Sequence, residues 1–173
     1  MPALRPLTPA DHDALVAVYR DAVLSQTAGL YSPVQITAWA HHAARSGALL
    51  EPLREGYGLA SLGSWAAGAD RFAEDRPRAG SPIEAFGVLH PADRLALLYC
   101  RGRSCRQGRS SAILQALERY ACGQGISQLR TEASQLSRPL LMRHGWQEEE
   151  EERVLFAGAW FLRWRMIKPL AHP

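Results

Sequence analysis

Residues Leu97 to Glu118 read LLYCRGRSCRQGRSSAILQALE. An apolar run of strand formers enters this stretch, and an apolar stripe at helical spacing, Ile113, Leu114, Leu117 and Ala121, leaves it. Between them stand four arginines, two glycines and three serines. A strand delivering the chain through small residues into a helix leaves the first helical N–H groups without partners, and the helix dipole favours an anion in front of them. Two kinds of anion fit: the phosphates of a nucleic acid, held by side-chain charge, or those of a small cofactor, held by backbone N–H groups.

Composition weighs against the nucleic acid. The formal charge is +3 and the sequence pI about 9.0, well below the charge density of a dedicated nucleic-acid binder. Lys168 is the single lysine, so nineteen of the twenty basic residues are arginine, and the local cluster partly reflects a chain-wide habit. A length of 173 residues suits a single domain, 1–173, with a real core. The N-terminus mixes charge and proline, and no apolar run approaches spanning length, so the expectation is a cytoplasmic protein without a membrane partner. Cys100, Cys105 and Cys122 are odd in number and lack paired spacing; they read as reduced thiols, with no metal site.

Two further helices announce their starts. Thr8, Pro9 and Asp11 precede Leu15, Val18, Tyr19 and Ala22 at helical spacing, and Ser32, Pro33 and Gln35 precede Ile36, Trp39 and Ala43. A short helix follows from Leu49 to Arg54, then a weak strand in YGLASLGS. Residues 65–81 carry Gly, Pro and scattered charge without period and read as a surface insertion loop. PIEAFGVLH and DRLALLYC form a hairpin across PAD. Beyond the quoted stretch come a strand in SQLRTEAS, a short helix in SRPLLMRHG and two final strands. In WFLRWRMI, Trp160, Leu162, Trp164 and Met166 alternate with Phe161, Arg163, Arg165 and Ile167, giving one core face and one largely cationic face. The fold class is therefore α/β of the α+β kind: a mixed, mostly antiparallel sheet flanked by helices.

This order, with the quoted stretch, resembles the GCN5-related N-acetyltransferase superfamily, in a bacterial branch of uncharacterised acceptor specificity. The family signature is a strand, then Q/R-x-x-G-x-G/A, then an amphipathic helix. Cys105 falls at the Q/R position, Gly108 at the glycine and Ser110 at the final Gly/Ala. TEASQLSRPLLMRHGW is similar to the second half-signature, closed by Gly145 and Trp146. The resemblance implies a sheet splayed at an acyl-CoA site and transfer of acetyl from acetyl-CoA to the amine of a small molecule or peptide by direct attack. It implies no nucleic-acid partner and is compatible with a homodimer. Backbone groups of Leu98, Tyr99 and Cys100 would hold the pantetheine arm. The loop of Cys105, Arg106, Gln107 and Gly108, with Arg109, Ser110 and Ser111, would hold the pyrophosphate, aided by Arg101 and Arg103. Tyr31, Gln35 and Trp39 fall where the first helices of this fold border the acceptor.

Departures bear on catalysis. The tyrosine that many relatives use to protonate the leaving thiolate is Leu141 here, and the acidic residue often found before the loop falls near Ala96. The candidate catalytic residues are then Glu132, as base, and Ser134, which shares its sheet face by period two; Glu84 is a weaker alternative. Glu132 reads equally well as a surface carboxylate paired with Arg130 or Arg138. His144 is a helix-end histidine, and the run Glu148 to Glu152 a solvated face. Loss of catalysis altogether, leaving an acyl-CoA or ligand-sensing module, is the alternative.

Overall fold

The computed structural model describes residues 2–63 and 80–171. Its elements, in chain order, are β1 (Leu4–Pro6), α1 (His12–Gln26), α2 (Pro33–Ser46), α3 (Leu50–Glu55), β2 (Tyr57–Leu62), β3 (Ile83–Leu89), β4 (Leu95–Cys100), α4 (Arg109–Gly123), β5 (Gln128–Ala133), α5 (Arg138–Arg143), β6 (Gln147–Phe156) and β7 (Ala159–Pro169). The insertion expected at 65–81 lies outside the described residues, apart from its last two.

Both proline-led starts form as capping devices. Asp11 accepts from the Thr8 N–H at 2.8 Å and pairs with Arg5, and a 3-10 turn at Pro9–Asp11 leads into α1. Gln35 accepts from the Ser32 N–H at 2.9 Å and donates its own N–H to the Ser32 hydroxyl.

The strands form two antiparallel sheets, ordered β1-β2-β3-β4 and β5-β7-β6. Among the described residues they meet at one corner. The Arg130 N–H donates to the Asp93 carbonyl at 2.9 Å, and the Thr131 hydroxyl to the Leu95 carbonyl at 2.7 Å. Beyond that corner no ladder joins β4 to β5 among the described residues, and the strands part. On the β3 side, Val88 faces Leu97 but Leu89 faces Leu95, so Ala96 is the extra residue of a bulge at the corner.

Helices cover both sheet faces, which is why every residue of β3 is buried. On one face α1 and α2 pack over Phe86 and Val88; on the other the stripe of Ile113, Leu114, Leu117 and Ala121 packs over Ala85 and Leu89. Glu118, buried beside that stripe, accepts from the Trp146 indole and from Lys168, so the chain's single lysine ties β7 to α4.

The reading of β7 as one core face and one cationic face is corrected. Phe161 and Ala159 are buried among α1 and α2 residues, Trp164 and Met166 on the α4 and α5 side, and Trp160 is 57% exposed. Different helices cover opposite faces at the two ends of the strand, so the buried phase changes along it.

The seat of α4 depends on a missing side chain. A Cβ at Gly87 would stand 2.7 Å from Ile113 Cγ2 and 3.0 Å from Leu117 Cδ1. Gly87→Val should therefore push α4 off the sheet and destabilise the chain by about 1–3 kcal/mol, read as a lower urea midpoint. A midpoint equal to that of the unmodified chain would mean that α4 does not sit on Gly87.

Candidate active site

The parting of β4 and β5 opens a cavity of about 960 Å³, lined by β4, the start of α4, Thr131 and Glu132 of β5, and α5. The Arg101 N–H donates to the Glu84 carbonyl on β3 at 2.8 Å. Because N–H groups alternate along a strand, those of Tyr99 and Leu97 also turn to β3, and those of Leu98 and Cys100 face the cleft. The Cys100 carbonyl, on the cleft side, accepts from Gln26 Nε2 at 2.6 Å.

The mouth of the cavity is the start of α4. Gly108 takes φ 74° and Arg106 φ 60°, turning the chain sharply before the helix. The first backbone bond of α4 runs from the Ala112 N–H to the Gly108 carbonyl, and among the described residues no acceptor meets the N–H groups of Arg106 to Ser111. Consecutive outward N–H groups at the positive end of a fifteen-residue helix form an anion cradle.

The arginines of the loop do a different job from the one expected of them. Arg103 grips the buried Glu84 carboxylate, with Nε 3.0 Å from Oε2, while the Ser104 hydroxyl donates to the same carboxylate at 2.6 Å. Arg101 Nε donates to the Ile83 carbonyl. Arg109 spans to the Ser61 hydroxyl and the Leu62 carbonyl at 2.9 and 2.8 Å. Three of the four arginines thus fasten the loop to β2 and β3, because buried acceptors lie within their reach. Arg106 alone has no partner among the described residues and lines the cavity, as does exposed Arg143 of α5. Glu84 belongs to this fastening rather than to proton transfer, and it does not line the cavity. Burial works to raise its carboxyl, but the hydrogen bonds and charges of Arg103, Ser104 and Arg101 outweigh it and hold the pKa below the ordinary value.

The opposite wall carries the remaining candidates. Glu132 lines the cavity and pairs with Arg94 at 2.7 Å, whereas Arg130 pairs with Asp93 and Arg138 with Glu148. Ser134 lines it too, its hydroxyl accepting from the Ser137 N–H at 3.1 Å, which starts the turn into α5. Leu141 is buried against the cavity. His144 hydrogen-bonds Ser111 at 2.9 Å and so pins α5 to α4. Glu150 and Glu152 pair with Arg165 and Arg163 on the neighbouring strand.

Toward α1 and α2 the cavity is closed by aromatic groups. Trp39 Nε1 donates to the Tyr99 hydroxyl at 3.3 Å, and the Tyr99 ring stands 4.5 Å from that of Tyr19. Trp39 and Tyr99 line the cavity. Tyr31 stacks edge-on to Trp39 and accepts from the Gln135 N–H at 2.8 Å, bracing the loop after β5. Gln35 lies off the cavity, with one end of its amide in the helix cap and the other donating to the Trp160 carbonyl at 2.7 Å.

Cys100 and Cys105 are both held above the ordinary thiol value. Burial and the neighbouring Cys105 push the Cys100 thiol up to about 12, and burial raises Cys105, which donates to Gln26 Oε1. Gln26 and Asp21 escaped the sequence reading. Asp21 accepts from the Gly102 N–H at 2.9 Å, and Gly102 is close enough to α1 that a Cβ would stand 2.6 Å from that of Ser25. Nothing local to α1 marks either residue; only the approach of a loop distant in sequence gives them partners.

A lowered pKa in the folded state means that Glu84 binds a proton more weakly there than in the unfolded chain. Its stabilisation is present above the ordinary value of 4.5 and is lost as pH falls through the folded pKa. Glu84→Gln should therefore unfold at lower urea than the unmodified chain at pH 7, with the gap narrowing below about pH 4.5. A gap independent of pH would show that the carboxylate charge is not what holds the loop.

No protein-family model matches the chain. Over 164 residues it is 27% identical to an uncharacterised N-acetyltransferase of Escherichia coli K12, YafP, covering 94% of this chain and 93% of that one. A GCN5-related N-acetyltransferase structure from Rhodopseudomonas palustris superposes with a TM-score of 0.83 at 24% identity, covering 98% of this chain and 96% of the other. PaiA N-acetyltransferase of Thermoplasma acidophilum, solved with coenzyme A, gives 0.69 at 17% identity over 98% and 99% of the two chains. A phosphinothricin acetyltransferase of Sinorhizobium meliloti, solved with acetyl-CoA, gives 0.61 at 16% over 98% and 89%. The parted strands, the cradle at the start of α4 and these likenesses along nearly the whole chain agree: the chain has the fold of the GCN5-related N-acetyltransferase structures and is similar along its length to an N-acetyltransferase.

Proposed function

We propose that this protein transfers the acetyl group of acetyl-CoA to the amine of a small molecule or peptide, by direct attack of the amine on the thioester. The observation that carries the reading is the run of unpartnered N–H groups from Arg106 to Ser111, opening on the same cleft as those of Leu98 and Cys100. The pyrophosphate of coenzyme A sits on the cradle, with Arg106 and Arg143 beside it for further phosphate contacts. The pantetheine arm lies between β4 and β5 as a strand would, taking the free N–H groups of β4. That two solved relatives carry coenzyme A or acetyl-CoA supports this use of the cleft.

Protonated thiols at Cys100 and Cys105 favour direct attack over an acyl-enzyme. Glu132 is the one carboxylate lining the cavity among the described residues. It takes the ammonium proton, through water, and Arg94 keeps it in place; Ser134 borders the same path. Trp39 walls the acceptor side, with Tyr31 behind it. Leu141, which offers no proton, favours a second reading in which the cleft binds acyl-CoA without turnover.

Calorimetric titration with coenzyme A and acetyl-CoA, followed by thiol release across a panel of amines, separates the two. Binding with turnover supports the enzyme, binding without turnover the sensor, and no binding removes both. Gly108→Val meets no steric obstacle within 4 Å, but at φ 74° it carries about 1–3 kcal/mol of strain and places a methyl in the path of the anion. The chain should fold while coenzyme A affinity falls about tenfold or more; unchanged affinity would remove the cradle from the binding site. Glu132→Gln should lower turnover about a hundredfold or more, with acetyl-CoA affinity kept and the acidic limb of the pH profile lost. A drop of only a few-fold with the limb intact would hand the proton to water alone.

A further inference from the structure

We propose that the Tyr99 hydroxyl donates a hydrogen bond to the acetyl carbonyl oxygen and so stabilises the oxyanion formed when the amine attacks. The proposal rests on the acetyl-CoA reading above and assigns a residue of β4 to a task that the backbone otherwise carries alone.

The geometry comes from strand alternation. Tyr99 turns its backbone N–H to β3 and its side chain to the α1 and α2 face, among Tyr19, Phe86 and Trp39. Leu98 and Cys100, on either side of it, turn their N–H groups into the cleft. A thioester carbonyl drawn to those N–H groups therefore lies beside Tyr99, on the face from which the aromatic wall admits the amine. Tyr99 itself lines the cavity.

Its hydrogen is free for this use. Trp39 Nε1 is a donor with no acceptor capacity, so the 3.3 Å bond between them must run from indole to phenol oxygen. Tyr19 lowers the Tyr99 pKa as Trp39 does, so it too donates to that oxygen, and the Tyr99 O–H is left to turn elsewhere. The ring is braced by Tyr19 at 4.5 Å and Phe86 at 5.7 Å, which keeps the donor aimed before substrate arrives. Burial pushes the phenol up to about 12, against the opposing pull of its Trp39 and Tyr19 hydrogen bonds, so it remains a donor across the neutral range.

The electrons balance without proton loss from Tyr99. The amine nitrogen lone pair forms the new C–N bond, and the carbonyl π pair moves to oxygen, where it meets the Tyr99 O–H and the strand N–H. Collapse restores the carbonyl and breaks the C–S bond; sulfur leaves with the pair as the thiolate, and the nitrogen proton passes to water and Glu132. Tyr99 donates a hydrogen bond throughout and keeps its proton.

The test needs no acceptor. Acetyl-CoA labelled with carbon-13 at the carbonyl is bound to the full chain and to Tyr99→Phe, and the carbonyl stretch is read by difference infrared spectroscopy, with affinity from calorimetry. The expected result is a stretch lowered on binding to the unmodified chain and returned toward the solution value in Tyr99→Phe, with affinity little changed. With an amine active in the panel, turnover should fall about a hundredfold at nearly constant KM for acetyl-CoA, and the pH limbs should stay where they were. A carbonyl stretch equal in the two proteins overturns the proposal while leaving acetyl-CoA binding in place. Absence of binding to the unmodified chain overturns the acetyl-CoA reading and this inference with it. Should Tyr99→Phe fail to fold, Trp39→Phe removes the indole donor and leaves the phenol; a stretch in that variant equal to that in the unmodified chain counts against the proposal, because Tyr19 and Phe86 brace the ring while the Trp39 bond sets which way the Tyr99 O–H turns.

Discussion

The parting of β4 from β5 is the constraint on which everything else depends. Two strands lying side by side would ordinarily continue their ladder, since an unpaired edge leaves N–H and C=O groups without partners. Here pairing stops after Asp93 and Leu95, where the Thr131 hydroxyl and the Arg130 N–H close the last links and the Ala96 bulge ends the regular register of β4. The unused edge becomes a row of donors facing a cavity, available to a ligand that imitates a strand. Helices α4 and α5 hold the gap open: the first is seated on Gly87, the second pinned through His144 to Ser111. One interruption of hydrogen bonding thus generates both the cleft and the polar groups that line it.

In the loop before α4, side-chain charge serves to fasten the loop more than to face the cavity. A loop rich in arginine and glycine is floppy when left to itself, and ordering it on ligand binding would weaken affinity. Glu84, Ser61 and the carbonyls of Ile83 and Leu62 order it in advance by engaging three of its four arginines, and Asp21 and Gln26 complete the clamp from α1. What faces the ligand is then mostly backbone: directional N–H dipoles that need no counter-charge and lose no side-chain freedom when an anion arrives. The cationic look of the sequence is a property of the scaffold.

Local chemistry was readable, and partnership across the chain was not. Thr8-Pro9 and Ser32-Pro33 mark helix starts because a cap is made by neighbours in sequence, and the stripe of Ile113, Leu114 and Leu117 marks a buried face because its period is set by the helix itself. Gly108 before that stripe gave the cradle for the same reason. The arginines misled because a sequence shows that a charge exists and not which acceptor lies within reach; Glu84 is nineteen residues from Arg103. Gln35 was read toward the acceptor, yet its amide is held by Ser32 and by a carbonyl on β7. In β7 alternation was real, but which phase is buried depends on where α2 ends and α5 begins, and no window of eleven residues contains that information.

The lining of the cleft is uneven in charge, and under the proposed reaction this bears on how a polyanion and an amine share it. On one side of the lining stand the positive end of α4, Arg106 and Arg143, a field that draws a polyanion and repels an ammonium ion. Elsewhere in the lining, Trp39 and Tyr99 present rings and a neutral phenol, and Glu132 supplies the only carboxylate among the described residues that line the space. In the proposed reaction, a cationic acceptor approaching past the start of α4 would be opposed twice, by the dipole and by the arginines. Approaching past Trp39 and Tyr99 it would meet aromatic faces, which favour cations.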